Sequence, residues 1–260
     1  MEQSDSRKQK ILDILKAEKI VYVSSLSEKF GVSQVTVRKN LQELEEEGLI
    51  QRTHGGATLR RVERVSIEPF FEELCIQNVE EKRAIAKLAY EQIADGDAIL
   101  LDASTTVLEL CHLIRDGERK NLTVITNALK VSMELAACPE VSLIQVGGSI
   151  RSSLFSASGP MTTQALKNLH ADKAFIGLNG IDTRYGLTTQ NMLECEIKRC
   201  MVDISTTSYV LADHSKFGNV ALSVIAPVNS VFCIITDSEV PAARLMEIQE
   251  RGVRVMLAKV

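Results

Sequence analysis

Apolar positions near the start of the chain recur at helical spacing in three blocks. In Arg7–Glu18, Ile11, Leu12, Ile14 and Leu15 cluster on one side while Lys8, Lys10, Asp13 and Lys16 stay polar, which predicts a helix. Ile20–Val23 is a short β-prone stretch. Ser24 and Ser25 then offer an N-cap, and Ser25-x-x-Glu28 has capping-box spacing, for a short helix that turns Leu26 and Phe30 inward and stops at Gly31. Ser33 is placed to cap a third helix, in which Val37, Leu41 and Leu44 form one stripe and which ends at Gly48. Leu49–Arg52 and Ala57–Leu59 read as two strands around a tight turn at His54-Gly55-Gly56.

Beyond residue 80 the pattern changes to alternating helices and short apolar strands. Strands are predicted at Asp97–Leu101, Leu122–Thr126, Val141–Val146, Lys173–Gly177, Tyr209–Ala212, Val231–Ile235 and Val253–Leu257. Helices are predicted at Glu80–Ala94, Thr105–Ile114, Ala128–Ala137 and Arg244–Glu250. Such alternation implies a mostly parallel sheet covered on both faces, a Rossmann-like α/β domain. Residues 1–60 form a small helical domain with a wing, 61–79 read as a linker in which Phe70 and Phe71 are expected to dock, and 80–260 form the α/β domain. Arg151–Gly159, rich in Ser, shows neither period and suits a lid or a subunit contact.

Charge sharpens this division. The whole chain is mildly acidic, with 30 Lys+Arg against 34 Asp+Glu, yet Arg7–Gln42 holds 8 basic and 3 acidic residues. Three helices and a hairpin with a basic face make a winged helix-turn-helix, whose third helix fits a DNA major groove. Ser33, Gln34 and Thr36 at its start suit base edges or phosphate, while Arg38, Lys39 and Arg52 suit phosphates, with His54, Gly55 and Gly56 at the wing tip. A small protein-interaction domain with a solvated basic face is the competing reading.

In the larger domain, ligands are expected beyond the carboxyl ends of the strands. Small, hydroxyl, amide and charged residues gather there: Asp102, Ser104, Thr105 and Thr106; Asn127; Gly148; and Asp213 with Lys216. Hydroxyls and free N–H groups entering a helix make an anion site, which favours a phosphorylated small molecule. The six cysteines include no Cys-x-x-Cys pair, the four histidines no two-His metal spacing, and no apolar run spans a membrane. These features favour a cytoplasmic protein with reduced thiols and without metal or cofactor.

Arg7-x3-Ile11-x3-Leu15, Ser33-x-x-Thr36-Val37-Arg38-Lys39 and Arg52-Thr-His-Gly-Gly-Ala57 resemble the DeoR family of bacterial transcription regulators. Asp102-x-Ser-Thr-Thr106, Gly147-Gly148, Glu194 through Lys198 and Leu211-Ala-Asp213-x-Ser-Lys-Phe217 resemble that family's effector domain, itself similar in fold to sugar-phosphate isomerases. The resemblance implies a repressor of carbohydrate-metabolism genes, an operator DNA partner, and a phosphorylated sugar or sugar alcohol whose phosphate sits on Ser104, Thr105 and Thr106. It also implies a homo-oligomer, dimer or tetramer. Glu194 and Lys198 are weaker candidates, because a Glu/Lys pair at i, i+4 on a helix is usually a surface pair. Asn40 departs from the family's usual Asp, which removes an ion pair and leaves room for a hydrogen bond. The alternatives are an isomerase-like enzyme with Asp213 or Glu194 as base, and a scaffold that binds protein through its N-terminal domain.

Overall fold

The computed structural model describes residues 2–18, 20–46, 50–53, 55–59 and 71–260, and the chain divides into two compact units, Met1–Arg64 and Val65–Val260. The predicted helix stop at Gly48, the wing-tip His54, the Arg52 side chain and most of the predicted linker lie outside the described residues.

The first unit runs α1 (Glu2–Glu18), β1 (Ile20–Tyr22), α2 (Val23–Phe30), α3 (Gln34–Glu46), β2 (Ile50–Thr53) and β3 (Gly56–Leu59). Its strands pair antiparallel in the order β1-β3-β2. Ile11, Leu15, Leu26, Val37, Leu41 and Leu44 close one buried cluster, as their helical spacing requires. The Arg7 guanidinium donates to Asn40 Oδ1 at 3.3 Å, so the amide at this position joins α1 to α3 by a hydrogen bond. Gly31 caps α2 in the left-handed region at φ 61°.

The expected capping box on Ser25 does not form. The N-cap is Tyr22, without a side-chain cap bond, and Ser24 and Ser25 lie in the first turn. The wing sets this start: the Val23 N–H donates to Gly55 O at 2.9 Å and the Val23 side chain is buried, so the helix begins where the strand pairing ends.

The second unit begins with α4 (Phe71–Cys75) and α5 (Val79–Tyr90). The end of the predicted linker is thus structured, because Phe71 is buried, packs edge-on against Phe155 and donates its N–H to Ser153 O. There follow β4 (Ala98–Leu101), α6 (Thr105–Asp116), β5 (Leu122–Thr126), α7 (Leu129–Leu135) and β6 (Val141–Gln145). Next come the hairpin β7 (Ser149–Arg151) and β8 (Ser156–Ser158), then α8 (Pro160–Leu166), β9 (Ala171–Ile176), β10 (Gly180–Asp182) and β11 (Gly186–Thr189). The chain closes with α9 (Met192–Asp203), β12 (Ser205–Leu211), β13 (Ser223–Ala226), β14 (Cys233–Asp237), α10 (Ala242–Gln249) and β15 (Arg254–Ala258).

Seven strands form one parallel sheet in the order β15-β14-β12-β9-β4-β5-β6. Side chains alternate between two cores: Ile99 and Leu101 join one, with Ile85, Leu110 and Val131, while Leu100 joins the other, with Leu166, Met201 and Ile248. The small antiparallel sheet β10-β11-β13 and the β7–β8 hairpin have no counterpart in the predicted strands. Their strands are three or four residues long, too short to show a period. Arg151–Gly159 is therefore largely a packed hairpin, with Leu154, Ser156, Ala157 and Ser158 buried.

From β4 the chain builds outward through β5 and β6, then returns to place β9 on the other side of β4. The gap between β4 and β9 is thus a topological switch point, where open α/β sheets bind ligands.

Gly56 sits where β3 crosses β1, and a Cβ there would fall 1.8 Å from the Val21 carbonyl oxygen. Gly56→Ala is expected to destabilise the first unit by about 1–3 kcal/mol, the range of an overpacked site. In hydrogen exchange, protection should fall at 20–22 and 56–59 and stay unchanged in β4 and β5. Retained protection in the wing would refute the close packing.

Candidate functional site

At the switch point, the carboxyl ends of β4, β9 and β12 open into a cleft of about 650 Å³, counting the space continuous with solvent. Ala103 to Thr106, Gly177 to Asn179 and Leu211 to Asp213 supply three of its walls, and Leu74 of α4, Gln77 of the turn that follows and Lys82 of α5 close it.

α6 presents its N-terminus to this cleft. Ser104 is the N-cap and its hydroxyl accepts the Val107 N–H at 3.3 Å. The first-turn N–H groups of Thr105 and Thr106 have no intrahelical acceptor, and both threonines line the cleft. Asp102 fixes the approach: its carboxylate accepts the Ser104 N–H and the Gly177 N–H, each at 2.9 Å. Gly177 is needed here, because a Cβ would stand 2.4 Å from the Ser104 side chain.

Under this turn lies a buried ion cluster. Lys198 on α9 is 2% exposed and bonds to Asp102 and to Glu194 Oε1, the latter at 2.9 Å. Burial pushes the Lys198 ammonium down, and the carboxylates of Asp102 and Glu194 outweigh it, so its pKa is raised and it stays charged. Arg151 of the hairpin approaches Glu194 Oε2 at 3.7 Å. The expectation of a surface pair at Glu194 and Lys198 is therefore corrected: α9 turns this i, i+4 pair inward, against the end of β4.

On the β12 side, Asp213 Oδ1 accepts from Asn78 Nδ2 at 2.9 Å and the Ser215 N–H at 3.0 Å, and Lys216 Nζ lies 3.7 Å from Oδ2. Burial raises the Asp213 pKa, but Lys216, Ser215 and Asn78 outweigh it and hold the carboxyl below its usual value. Lys82 is also buried, and its ammonium donates to Leu74 O. Burial lowers its pKa, and the attraction of Asp213 offsets this only in part. Lys82 was missed in the sequence because it lies in the polar stretch of an amphipathic helix.

The structure thus brings together Ser104, Thr105, Thr106, Glu194, Lys198, Asp213 and Lys216 on the cleft wall, with Asp102 bonded to Lys198. Asn127 and Gly148 are not on that wall. Asn127 exchanges bonds with Ala157 in the hairpin, its Nδ2 donating to Ala157 O at 2.9 Å. Gly148 has φ 153°, with the Thr162 hydroxyl 2.0 Å from where a Cβ would be.

The second surface is α3. Ser33, Gln34, Arg38 and Lys39 are exposed and Thr36 is half-buried. Ser33 acts as the expected cap, since its hydroxyl accepts the Thr36 N–H at 3.2 Å and bonds the Thr36 hydroxyl at 2.9 Å. Val35 is 74% exposed between them, an apolar tip that lies off the buried stripe of α3. In the wing Gly55 is exposed, whereas Gly56 is buried against β1, so its place in the sequence pattern has a packing reason.

Comparison with known proteins follows the same division. The DeoR-like helix-turn-helix domain family matches residues 7–62, and the DeoR C terminal sensor domain family matches residues 77–238. The chain is 36% identical to the transcriptional repressor AccR of Agrobacterium fabrum (strain C58 / ATCC 33970), over 90% of each chain. It is 34% identical to the HTH-type transcriptional regulator GolR of Listeria innocua serovar 6a, over 97% of this chain and 98% of GolR. Among solved structures, ribose 5-phosphate isomerase A from Methanocaldococcus jannaschii aligns with 54% of this chain and 55% of its own, at 19% identity and a TM-score of 0.40.

Lys198→Met removes one charge from the buried cluster and leaves two carboxylates facing each other. Breaking such a cluster costs about 3–5 kcal/mol, read as a lower midpoint in urea unfolding of the second unit. An unchanged midpoint would show that the cluster is solvated and not structural.

Proposed function

The chain belongs to the DeoR family of transcriptional regulators, and on that premise we propose that it is a repressor of carbohydrate-metabolism genes controlled by a phosphorylated sugar or sugar alcohol in the switch-point cleft. The observation that carries the effector's class is the pairing of the α6 N-terminus with the Lys82 ammonium in one cleft. First-turn N–H groups, the Thr105 and Thr106 hydroxyls and a buried cation are together the chemistry that holds a phosphoryl group. A charged partner repays the desolvation of Lys82, which a neutral sugar does not. Asp213, Lys216 and Glu194 then offer polar atoms to the hydroxyls of the carbon chain.

DNA is read by α3. Gln34 and Val35 suit base edges, Val35 through a thymine methyl group, and Arg38 and Lys39 suit phosphates. Half-sites spaced by one helical turn call for a homo-oligomer with twofold symmetry, acting in the cytoplasm where the DNA is. Control is linkage: an effector that prefers one arrangement of the protein by about 1–3 kcal/mol changes operator affinity roughly 5–150-fold. Catalysis is not part of this reading. Asp213 here accepts from Asn78 and Ser215, which fixes its carboxylate on the cleft wall.

Two substitutions separate the surfaces. Arg38→Ala is expected to weaken operator binding and to reduce its salt slope by about 1, with the thermal shift given by sugar phosphates intact. Thr105→Val should leave DNA binding without effector unchanged and lower effector affinity at least tenfold in calorimetry, with Lys82→Gln acting the same way. Equal loss of both functions in either variant would overturn the assignment.

A further inference from the structure

We infer that Glu81, His214 and Glu239 form a divalent-metal site on the sensor unit, beside the effector cleft and distinct from it. The three residues come from separate elements: the first turn of α5, the 3-10 turn at His214–Lys216 after β12, and the loop after β14. Each offers one ligand atom, and these atoms lie within 4.8 Å of one another.

The imidazole is oriented as a ligand. Its Nδ1 lies 3.1 Å from Oδ1 of Asp237, a fully buried carboxylate. Asp237 also accepts the His214 N–H at 2.7 Å and the Glu239 N–H at 2.9 Å, so one carboxylate pins the backbone of both neighbours. With Nδ1–H donating to this carboxylate, the Nε2 lone pair would be left for a metal. Nε2 faces Glu239, whose Oε2 is 3.7 Å away. A carboxylate, a histidine and an outward lone pair in this order recur at metal centres, where the outer carboxylate fixes ring orientation and raises basicity.

One nitrogen and two carboxylate oxygens suit zinc, cobalt or manganese better than an all-oxygen cation, and three protein ligands leave a position for water. Ligand bonds of about 2.0–2.2 Å need the three atoms, now up to 4.8 Å apart, to draw together. Glu239, with 59% of its side chain exposed, is free to make that adjustment. A bound cation would tie the start of α5 to the ends of β12 and β14. Glu81 adjoins Lys82 and His214 adjoins Asp213, so this brace would hold two walls of the cleft.

The test uses the full chain, stripped by a chelator and titrated with Co²⁺ and then Zn²⁺ alone, with no sugar present. The site predicts one equivalent bound per chain, with a cobalt spectrum of nitrogen and oxygen ligands and no thiolate charge-transfer band. Affinity should fall at least tenfold in Glu239→Gln, an exposed change that spares the fold, and in His214→Ala. Asp237→Asn should weaken binding by about 10- to 100-fold. Absence of stoichiometric binding, undiminished affinity in Glu239→Gln and His214→Ala, or a thiolate band from the free cysteines would each overturn the site. None of these outcomes bears on whether a sugar phosphate occupies the cleft.

Discussion

The buried Lys198 ammonium, held between Asp102 and Glu194, is the constraint on which the sensor unit depends. Removing a full charge from water is expensive, and it persists only because two carboxylates and their hydrogen-bonded partners surround it. Each partner belongs to a different part of the fold. Asp102 ends β4 and accepts the N–H groups that aim the α6 N-terminus and the turn after β9. Glu194 opens α9 and reaches toward Arg151 in the hairpin. One charge thus sets the relative positions of four segments that wall a single cleft.

That cleft lies where strand order reverses, and its chemistry follows from the backbone as much as from side chains. A parallel sheet delivers each strand's carboxyl end and the next helix's amino end to the same edge. At β4 this places α6's unpaired N–H groups at the gap, with hydroxyls at Ser104, Thr105 and Thr106 beside them. Lys82 adds a cation from a helix that is sequentially earlier and reaches the gap because α5 packs against α6. Electrostatics here is local: the chain as a whole carries a net charge of −4, so the anionic effector proposed above would be held by these few groups and not by the protein's overall field.

Much of this was legible from periodicity. The stripe Val37, Leu41, Leu44 is the buried face of α3, and the seven predicted strands are the seven strands of the parallel sheet. The Ser/Thr cluster after the first of them does open a helix, with Ser104 as its cap. What pattern could not reach was set by distance in the chain. Glu194 and Lys198 look like a surface pair until Asp102, about a hundred residues earlier, is found against them. Lys82 looks solvated until α4 closes over it. The capping box at Ser25 has correct local spacing and loses to the backbone bond from Val23 to Gly55 that starts the helix where β1 ends. Glu81, His214 and Glu239 share no spacing at all, since three strand and helix ends bring them together.

In the proposed function a phosphoryl group docks on the α6 N-terminus and Lys82. Hydrogen exchange of the full chain, with a sugar phosphate and with the same sugar lacking its phosphate, tests it most directly. Slowed exchange is expected at residues 104–108 and 77–83 with the phosphorylated ligand alone. Equal protection by both ligands, or protection confined to other strand ends, would contradict it.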